Sequence, residues 1–539
     1  MSTRQKSFKV QVKFSIYLLV TIFIATAIFL AETVSKVAAQ PKTTIRIGLV
    51  GEIDPIDPNN TVNLNTETVF EHIFETLIIA DQSINLQPHL AKSWEVTPDN
   101  TAIIFNLRKD VKFHDGTSFN AKAVKMTFDR MMNEKLKRWP LFSPFLKSVE
   151  VINESTIKMN LKGGAGPALT MLSVWGHIES PTAIEKYGKD IASHPVGTGP
   201  FKFVEWIPDQ RVVLEANKDY WGGSPKISQV VFKPVPDPLT RLAMVEAGDL
   251  DVTWRIPYTE INRLKADLKI KVLERPTGTL FFLIFNTVKK PFNDKGVRQA
   301  ISYSIDRKSI INTLLFGLVR LGETYGGPSV KHVFKYNIYP YNPEKAKSIL
   351  AELGWKLGKS GFLERKGEVL RTALVTPSGR FPGDSQIAEA IQAQLKKVGI
   401  DTKIIVLESG AYIKTVMSGR QVKQNAEYGM TLQSWPMGPD PDSCFNQHFH
   451  SKSPEVSNSA LYANSELDPL LEEGATAVDE TKRSEIYKKV QDILNEDVPW
   501  LPIYSLVDFA IFRKGVQGVG YANPFTFLFV SKDAQVEQK

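Results

Sequence analysis

The densest group of reactive side chains in this chain is PDPDSCFNQHFH, residues 439–450. It holds the one cysteine, Cys444, with His448 and His450 beside it and Asp440 and Asp442 ahead. A thiol near imidazoles could serve as a nucleophile or join a metal site. The plainer reading is a small buried thiol beside surface imidazoles, with the prolines setting a tight turn at Asp440 and Asp442. His114 reads as a structural histidine. The glycines of GGAGPA, residues 163–168, read as a turn rather than a phosphate cradle, because no lysine follows them. The chain has no G-x-x-x-x-G-K-[ST], G-x-S-x-G or H-E-x-x-H motif, and no G-x-G-x-x-G after a strand. An enzyme reading therefore lacks a catalytic constellation, and no cofactor is expected.

The elements that would position these residues alternate between strand and helix patterns, an α/β class. Ile45, Ile47 and Leu49 alternate in an opening strand. Asn120 is placed to cap a helix over 121–133, with Val124, Phe128 and Met131 on one stripe. Val297, Ile301 and Ile305 mark a second helix. Ser385 would cap a third through Leu395, with Gly399 past its end, and Ile486, Val490 and Ile493 mark a fourth. Trp94, Phe105, Leu107, Val111 and Phe113 suggest a β-hairpin turning at Asp115-Gly116. There is no repeat and no flexible linker. Instead, two extended stretches look like crossings between lobes, Pro276 to Leu280 and VPWLPIY at 498–504.

Of 539 residues, 42% are hydrophobic and 23% charged, ordinary values for a globular chain and too many residues for one simple core. Residues 1–39 read as a secretory leader. Arg4, Lys6, Lys9 and Lys13 precede an uncharged run from Phe14 to Ala31, and Val37-Ala38-Ala39 supplies the cleavage site. Cleavage after Ala39 removes five basic residues and one acid, leaving 61 basic against 57 acidic residues. That mild balance does not call for nucleic acid. No cysteine near the site could carry a lipid, so a periplasmic, non-lipidated protein is expected. A single cysteine also excludes an intramolecular disulfide framework.

Five stretches carry recognisable motifs: LAKSWEVTPDNTAIIFNLRKDVKFHDGTSFNAKAVKMTF (90–128), VGTGPFKFVEW (196–206), NKDYWGG (217–223), PVPDPLTRLAMVEAGDLDV (234–252) and FNTVKKPFNDKGVRQAISYSIDRKSI (285–310). They resemble extracellular solute-binding proteins of family 5, which serve ABC importers of peptides and nickel chelates, and the first is similar to the family signature. The resemblance implies a two-lobed periplasmic-binding-protein fold of type II, a hinged trap. Lobe I would span 44–280 with an extra subdomain at about 80–190, lobe II 281–503, and residues 504–532 would return to lobe I. It also implies a monomer that hands a small solute, foremost a peptide, to an ABC permease with a separate ATPase.

The resemblance further nominates solute-binding residues. In dipeptide-binding members an aspartate before the D-P-D turn holds the α-amine. Met437 stands at that place here, so Glu67, Asp440 or a shifted loop would have to supply the charge. Nickel-binding members carry a tryptophan five residues before D-P, matched by Trp435, and an arginine before a helix-starting proline, matched by His177 with Trp175 beside it. Their histidine contact to metal would fall near His448 or His450. A peptide or modified peptide is the favoured solute and a metal chelate the second. Trp435 is expected to line the cleft.

Overall fold

In the computed structural model, residues 43–537 are described, apart from 82–83, 163, 329, 455–456, 478 and 522–527. The leader and its cleavage site lie outside the described residues, as does part of the 504–532 segment.

Two long strands organise the molecule, Ile270–Phe285 and Trp500–Arg513. Their apolar runs, LFFLIF and FAIF, bury side chains on both faces, as befits central strands. They pair antiparallel from Ile270 opposite Arg513 to Ile284 opposite Trp500, with register shifts between Phe281 and Phe282 and, more widely, where the pairing jumps between Pro276 and Leu280. Proline has no N–H to give to the ladder, so a break there follows from the sequence. Among the described residues eleven strands form one sheet. On one side of the crossing pair lie Met430–Pro436, Arg371–Pro377 and Asp401–Leu407. On the other lie Val252–Trp254, Thr44–Leu49 and the antiparallel strands Gln229–Pro234, Arg211–Ala216 and Phe201–Ile207. A separate four-stranded antiparallel sheet, built from Ala91–Val96, Ala102–Leu107, Thr156–Leu161 and Leu146–Asn153, packs with the helix Ala121–Asn133.

Local chemistry explains where the sequence expectations hold and where they shift. Asn120 caps the first helix by accepting from the Ala123 N–H at 3.3 Å. The second stripe is split into Lys295–Ser304 and Arg307–Leu314, because Asp306 turns out of the helix and caps the next one through the Ser309 N–H. The third helix begins at Asp384, one residue before the expected cap. The hairpin pairs Ala91–Val96 with Ala102–Leu107, so its turn lies at 97–101; Asp115-Gly116 makes a separate tight turn, Phe113 N–H to the Thr117 carbonyl at 2.8 Å. Asp440 and Asp442 are not in a simple turn: Asp440 caps the helix Pro441–Phe449. Nor is GGAGPA a turn; from Ala165 it is the helix Ala165–Trp175.

Three large apolar cores result. One gathers buried residues from Leu280 to Tyr504, another from Leu77 to Ile178, and a third joins Ile45–Phe74 and Phe201–Trp254 to Ala510–Ala534. In the first, Trp500 is fully buried, with ring centroids 4.9 Å from Phe449, 5.0 Å from Phe282 and 6.3 Å from Trp435, which lies nearly parallel to it. Trp435→Ala removes one wall of this cluster and should cost about 2–4 kcal/mol in chemical denaturation, on the scale of aromatic truncations. An unchanged midpoint would mean the cluster does not need this ring.

The third core is tied to the chain's end by His72, whose Nε2 accepts the Val530 N–H at 2.9 Å while the ring stacks on Phe529. Burial pushes its imidazole down to about 4, and it pushes those of His114 and His448 to about 4 and of His177 to about 3. At these four histidines the unfolded chain therefore binds more protons than the folded one below about 6.5. Their contribution to stability should be complete above about pH 6.5 and fall as the pH drops towards 4, by roughly 3 kcal/mol for His72 alone. The carboxyl of Glu179, which burial raises to about 7, acts in the opposite sense. His72→Gln should flatten that pH slope in denaturant melts; equal slopes would contradict the linkage.

Candidate functional site

Where the crossing strands lose register, a cavity of about 810 Å³ opens. Arg255–Thr259 and Leu506–Phe509 wall it on one side, and Leu314–Phe316, Arg380–Gly383 and Ser434 on the other, joined by Thr277 and Thr279. Leu315 lies in the first core with Phe381 and Leu506 packed on it, Ile256, Val507 and Phe509 lie in a smaller core, and Tyr258 packs on both. Thr277 ties the two strands together through the Leu506 carbonyl at 3.1 Å.

Arg255 follows the short strand Val252–Trp254 and has a left-handed backbone, φ 53°. That conformation costs energy for a side chain other than glycine. The buried Arg241 guanidinium supports it by donating to the carbonyls of Val235 (2.6 Å), Pro236 (2.7 Å), Arg255 (3.2 Å) and Trp254 (3.3 Å). Burial pushes Arg241 down to about 10, still charged at neutral pH. Arg255 itself is exposed, and its guanidinium has no hydrogen-bond or ion-pair partner among the described residues.

Arg380 lies after the strand Arg371–Pro377. The buried carboxylate of Asp384 accepts from the N–H groups of Gly379 (3.2 Å), Arg380 (2.8 Å) and Phe381 (3.1 Å), which fixes the loop. The Arg380 guanidinium donates to Ser409 Oγ at 3.2 Å and keeps other N–H groups spare. Asp508, in the same lining, is paired with Arg275 at 2.8 Å. The described lining holds two guanidiniums, several hydroxyls and the apolar faces of Phe316 and Phe381, with no histidine, cysteine or lysine. Guanidiniums and hydroxyls of this kind are suited to carboxylates, through charge-assisted hydrogen bonds.

The two sides also touch beyond this cavity. Asn100 Nδ2 donates to the Thr476 carbonyl at 3.0 Å. The glycines opening the helix Ala165–Trp175 make the approach possible: a Cβ on Gly164 would lie 2.4 Å from the Ala475 carbonyl oxygen, and one on Gly166 3.1 Å from the Arg483 guanidinium.

Of the residues nominated from sequence, Asp440 accepts from the Arg483 guanidinium with both carboxylate oxygens, at 2.6 and 3.0 Å. Met437 is 1% exposed, and its N–H bonds the Gly278 carbonyl. Glu67 is buried and ion-paired with Arg138; burial raises its carboxyl, and Arg138 works against that. Trp435 is half-buried on Trp500 and does not line the 810 Å³ cavity. His177 lines a smaller cavity of about 180 Å³, and Trp175 packs half-buried on the core beside it. His448 and His450 are buried, not surface residues: His448 Nδ1 faces the Ser457 carbonyl, and His450 Nε2 faces Glu472 at 3.2 Å. Among the described residues no group of three or more His, Cys, Asp or Glu side chains is placed to hold a metal. Cys444 is buried, and burial pushes its thiol up to about 12.

Sequence reasoning missed Arg255, Arg380 and the residues that brace them, Arg241 and Asp384. One signal could have found them: both arginines follow the carboxyl end of a strand, where open α/β sheets place ligands.

Comparisons with known proteins bear on the family and the fold. Residues 85–455, more than half of the chain, match the model for bacterial extracellular solute-binding proteins, family 5 (middle). The chain is 29% identical over 492 residues to the glutathione-binding protein GsiB of Shigella flexneri, covering 90% of this chain and 92% of that one. It is similar to NikZ from Campylobacter jejuni in complex with Ni(L-His), at TM-score 0.72 and 25% identity over 90% of this chain and 98% of the other. It is also similar to the oligopeptide-binding protein AppA of Bacillus subtilis in complex with a nonapeptide, at TM-score 0.69 and 25% identity over 93% and 100%. The two-lobed architecture and the family match together show that the chain belongs to the bacterial extracellular solute-binding proteins, family 5.

Proposed function

We propose that this protein captures a small peptide bearing carboxylates between its lobes and hands it to an ABC permease driven by a separate ATPase. The observation that carries the reading is the pair of arginines, Arg255 and Arg380, in the lining of one 810 Å³ cavity. Carboxylate–guanidinium bonds are charge-assisted and directional, so a solute that engages both draws the lobes together. Similarity to a glutathione-binding protein supports a short, multiply carboxylated peptide. In this reading lobe I is 44–280 with its return at 504–532, lobe II is 281–503, and the extra subdomain covers about 80–190. The separate cores support that division. The protein works as a monomer, binds without transforming its solute, and leaves the cytoplasm through cleavage after Ala39 without lipidation. No helix among the described residues is long and apolar enough to cross a membrane. A metal chelate is the second reading, favoured by the likeness to NikZ and open to the same two arginines.

Native mass spectrometry of the purified protein should show retained peptide; a chelate mass would select the second reading, and a sugar would overturn both. In calorimetric titration with the retained solute, Arg255→Ala and Arg380→Ala should each weaken binding by roughly 10- to 100-fold, as charge-assisted hydrogen bonds do. Full affinity in both variants would refute the arginine pair.

Closure generates a separate expectation. Gly164→Ala places a methyl against the Ala475 carbonyl and should weaken solute binding about tenfold or more, roughly 1.4 kcal/mol, with little change in the ligand-free melting temperature. Unaltered affinity would show that this contact is not part of the bound state.

A further inference from the structure

The helix Arg307–Leu314 runs into a turn, Leu315 to Leu318, at the wall of the 810 Å³ cavity. Leu315 is buried in the first core, and Leu318 in the smaller core with Val507 and Phe509. The chain therefore passes from one core to the other through two residues, Phe316 and Gly317. The Gly317 N–H on the Ile311 carbonyl at 3.1 Å and the Leu318 N–H on the Leu315 carbonyl at 2.9 Å close the turn. Beyond it, Arg320–Leu321 pairs with Ser505 and Tyr504 of the crossing strand. Leu315 also lies against the loop that carries Arg380, since a Cβ on Gly383 would come to 3.4 Å of its Cδ2.

Both residues of the turn are left-handed, Phe316 at φ 56° and Gly317 at φ 69°. Helix ends commonly use that conformation and fill it with glycine, which takes it without steric cost. A phenylalanine there is strained, and such strain persists only where the surroundings over-determine it, as the two anchored leucines do here. Arg255, in the same lining, has the same kind of backbone. Phe316 is 48% exposed, the only phenylalanine of the exposed class among the described residues. One exposed apolar residue is ordinary on a protein surface. An exposed ring that is also strained and lines the solute cavity is not accounted for by folding, which glycine would serve better.

We infer that Phe316 sets specificity: the preferred solute carries a bulky apolar side chain that lies on the Phe316 ring while a carboxylate engages the arginines. The inference deepens the peptide reading above and rests on it for the solute's being a peptide. Leu314 and Phe381, in the same lining, extend the apolar surface. An aromatic face offers a second apolar group a large contact area and a preferred stacking geometry. The relative GsiB is a glutathione-binding protein, and glutathione has no bulky apolar side chain, so the two proteins part in specificity.

Two probes test this on the full-length mature protein. One is an equimolar set of tripeptides, each with one glutamate, half carrying phenylalanine or leucine and half serine or alanine, read by native mass spectrometry. The other is 3-phenylpropionate against propionate, a carboxylate with and without a ring, read by thermal shift. Wild type should retain the apolar-bearing peptides at least about tenfold over the others. Phe316→Gly should bring that ratio to within about twofold of unity, while its ligand-free melting temperature stays level or rises because glycine relieves the strain. If no peptide is retained, but 3-phenylpropionate alone raises the melting temperature of wild type and not of Phe316→Gly, the peptide reading fails. The platform then stands, for an apolar carboxylate of another kind. The inference is overturned, with the peptide reading intact, if peptides are retained without apolar preference or if Phe316→Gly keeps the wild-type preference. With no peptide retained, equal thermal shifts in both proteins, or none, overturn it too. Should Phe316→Gly fail to fold, Phe316→Asn, whose side chain tolerates a left-handed backbone, decides by the same criteria.

Discussion

The antiparallel pairing of Ile270–Phe285 with Trp500–Arg513 is the constraint on which the rest depends. These strands are the shared centre of the large sheet, so the parts on either side cannot separate without breaking it. Yet the pairing lapses between Pro276 and Leu280, a local irregularity that bends a strand without severing it. A sheet continuous but locally unpaired at its middle joins the cores on either side, and the proposed closure would rotate them about that lapse. The cavity lies at that lapse, and its walls come from residues that the crossing brings together.

Charge is distributed so that few buried groups remain unanswered. Asp57 and Glu179 share Arg130, Glu67 takes Arg138, Asp440 takes Arg483, and Asp251 takes Arg513. Removing one partner of a buried pair costs several kcal/mol, so these acids are structural in the first instance. Against that background Arg255 is conspicuous, because Arg241 spends its own donors on carbonyls to hold Arg255 in a left-handed backbone facing the cavity. Strain of this kind persists where the surroundings over-determine it, as at ligand clamps.

Much of the fold was legible in the sequence. The extended stretches near 276–280 and 498–504 stand out through prolines beside apolar runs, and the cap at Asn120 marks a helix start by side-chain chemistry alone. The Asp306 cap is hidden in the sequence by the continuous Val297–Ile301–Ile305 stripe. The site was less legible. Arg255 and Arg380 lie far apart in sequence in unlike loops, and neither type nor spacing separates them from other surface arginines. Asp440, Glu67 and His448 looked free in sequence because their partners, Arg483, Arg138 and the Ser457 carbonyl, are set by tertiary packing.

The central claim is that one solute is held at once by guanidiniums from two lobes. A double-mutant cycle on Arg255 and Arg380, read by calorimetric titration of the retained solute, tests it directly. If both arginines act on one bound solute and on the closure it drives, their effects should be coupled by about 1 kcal/mol or more. Effects that add within roughly 0.3–0.5 kcal/mol would mean that the two arginines act independently, and the account of capture between lobes would be contradicted.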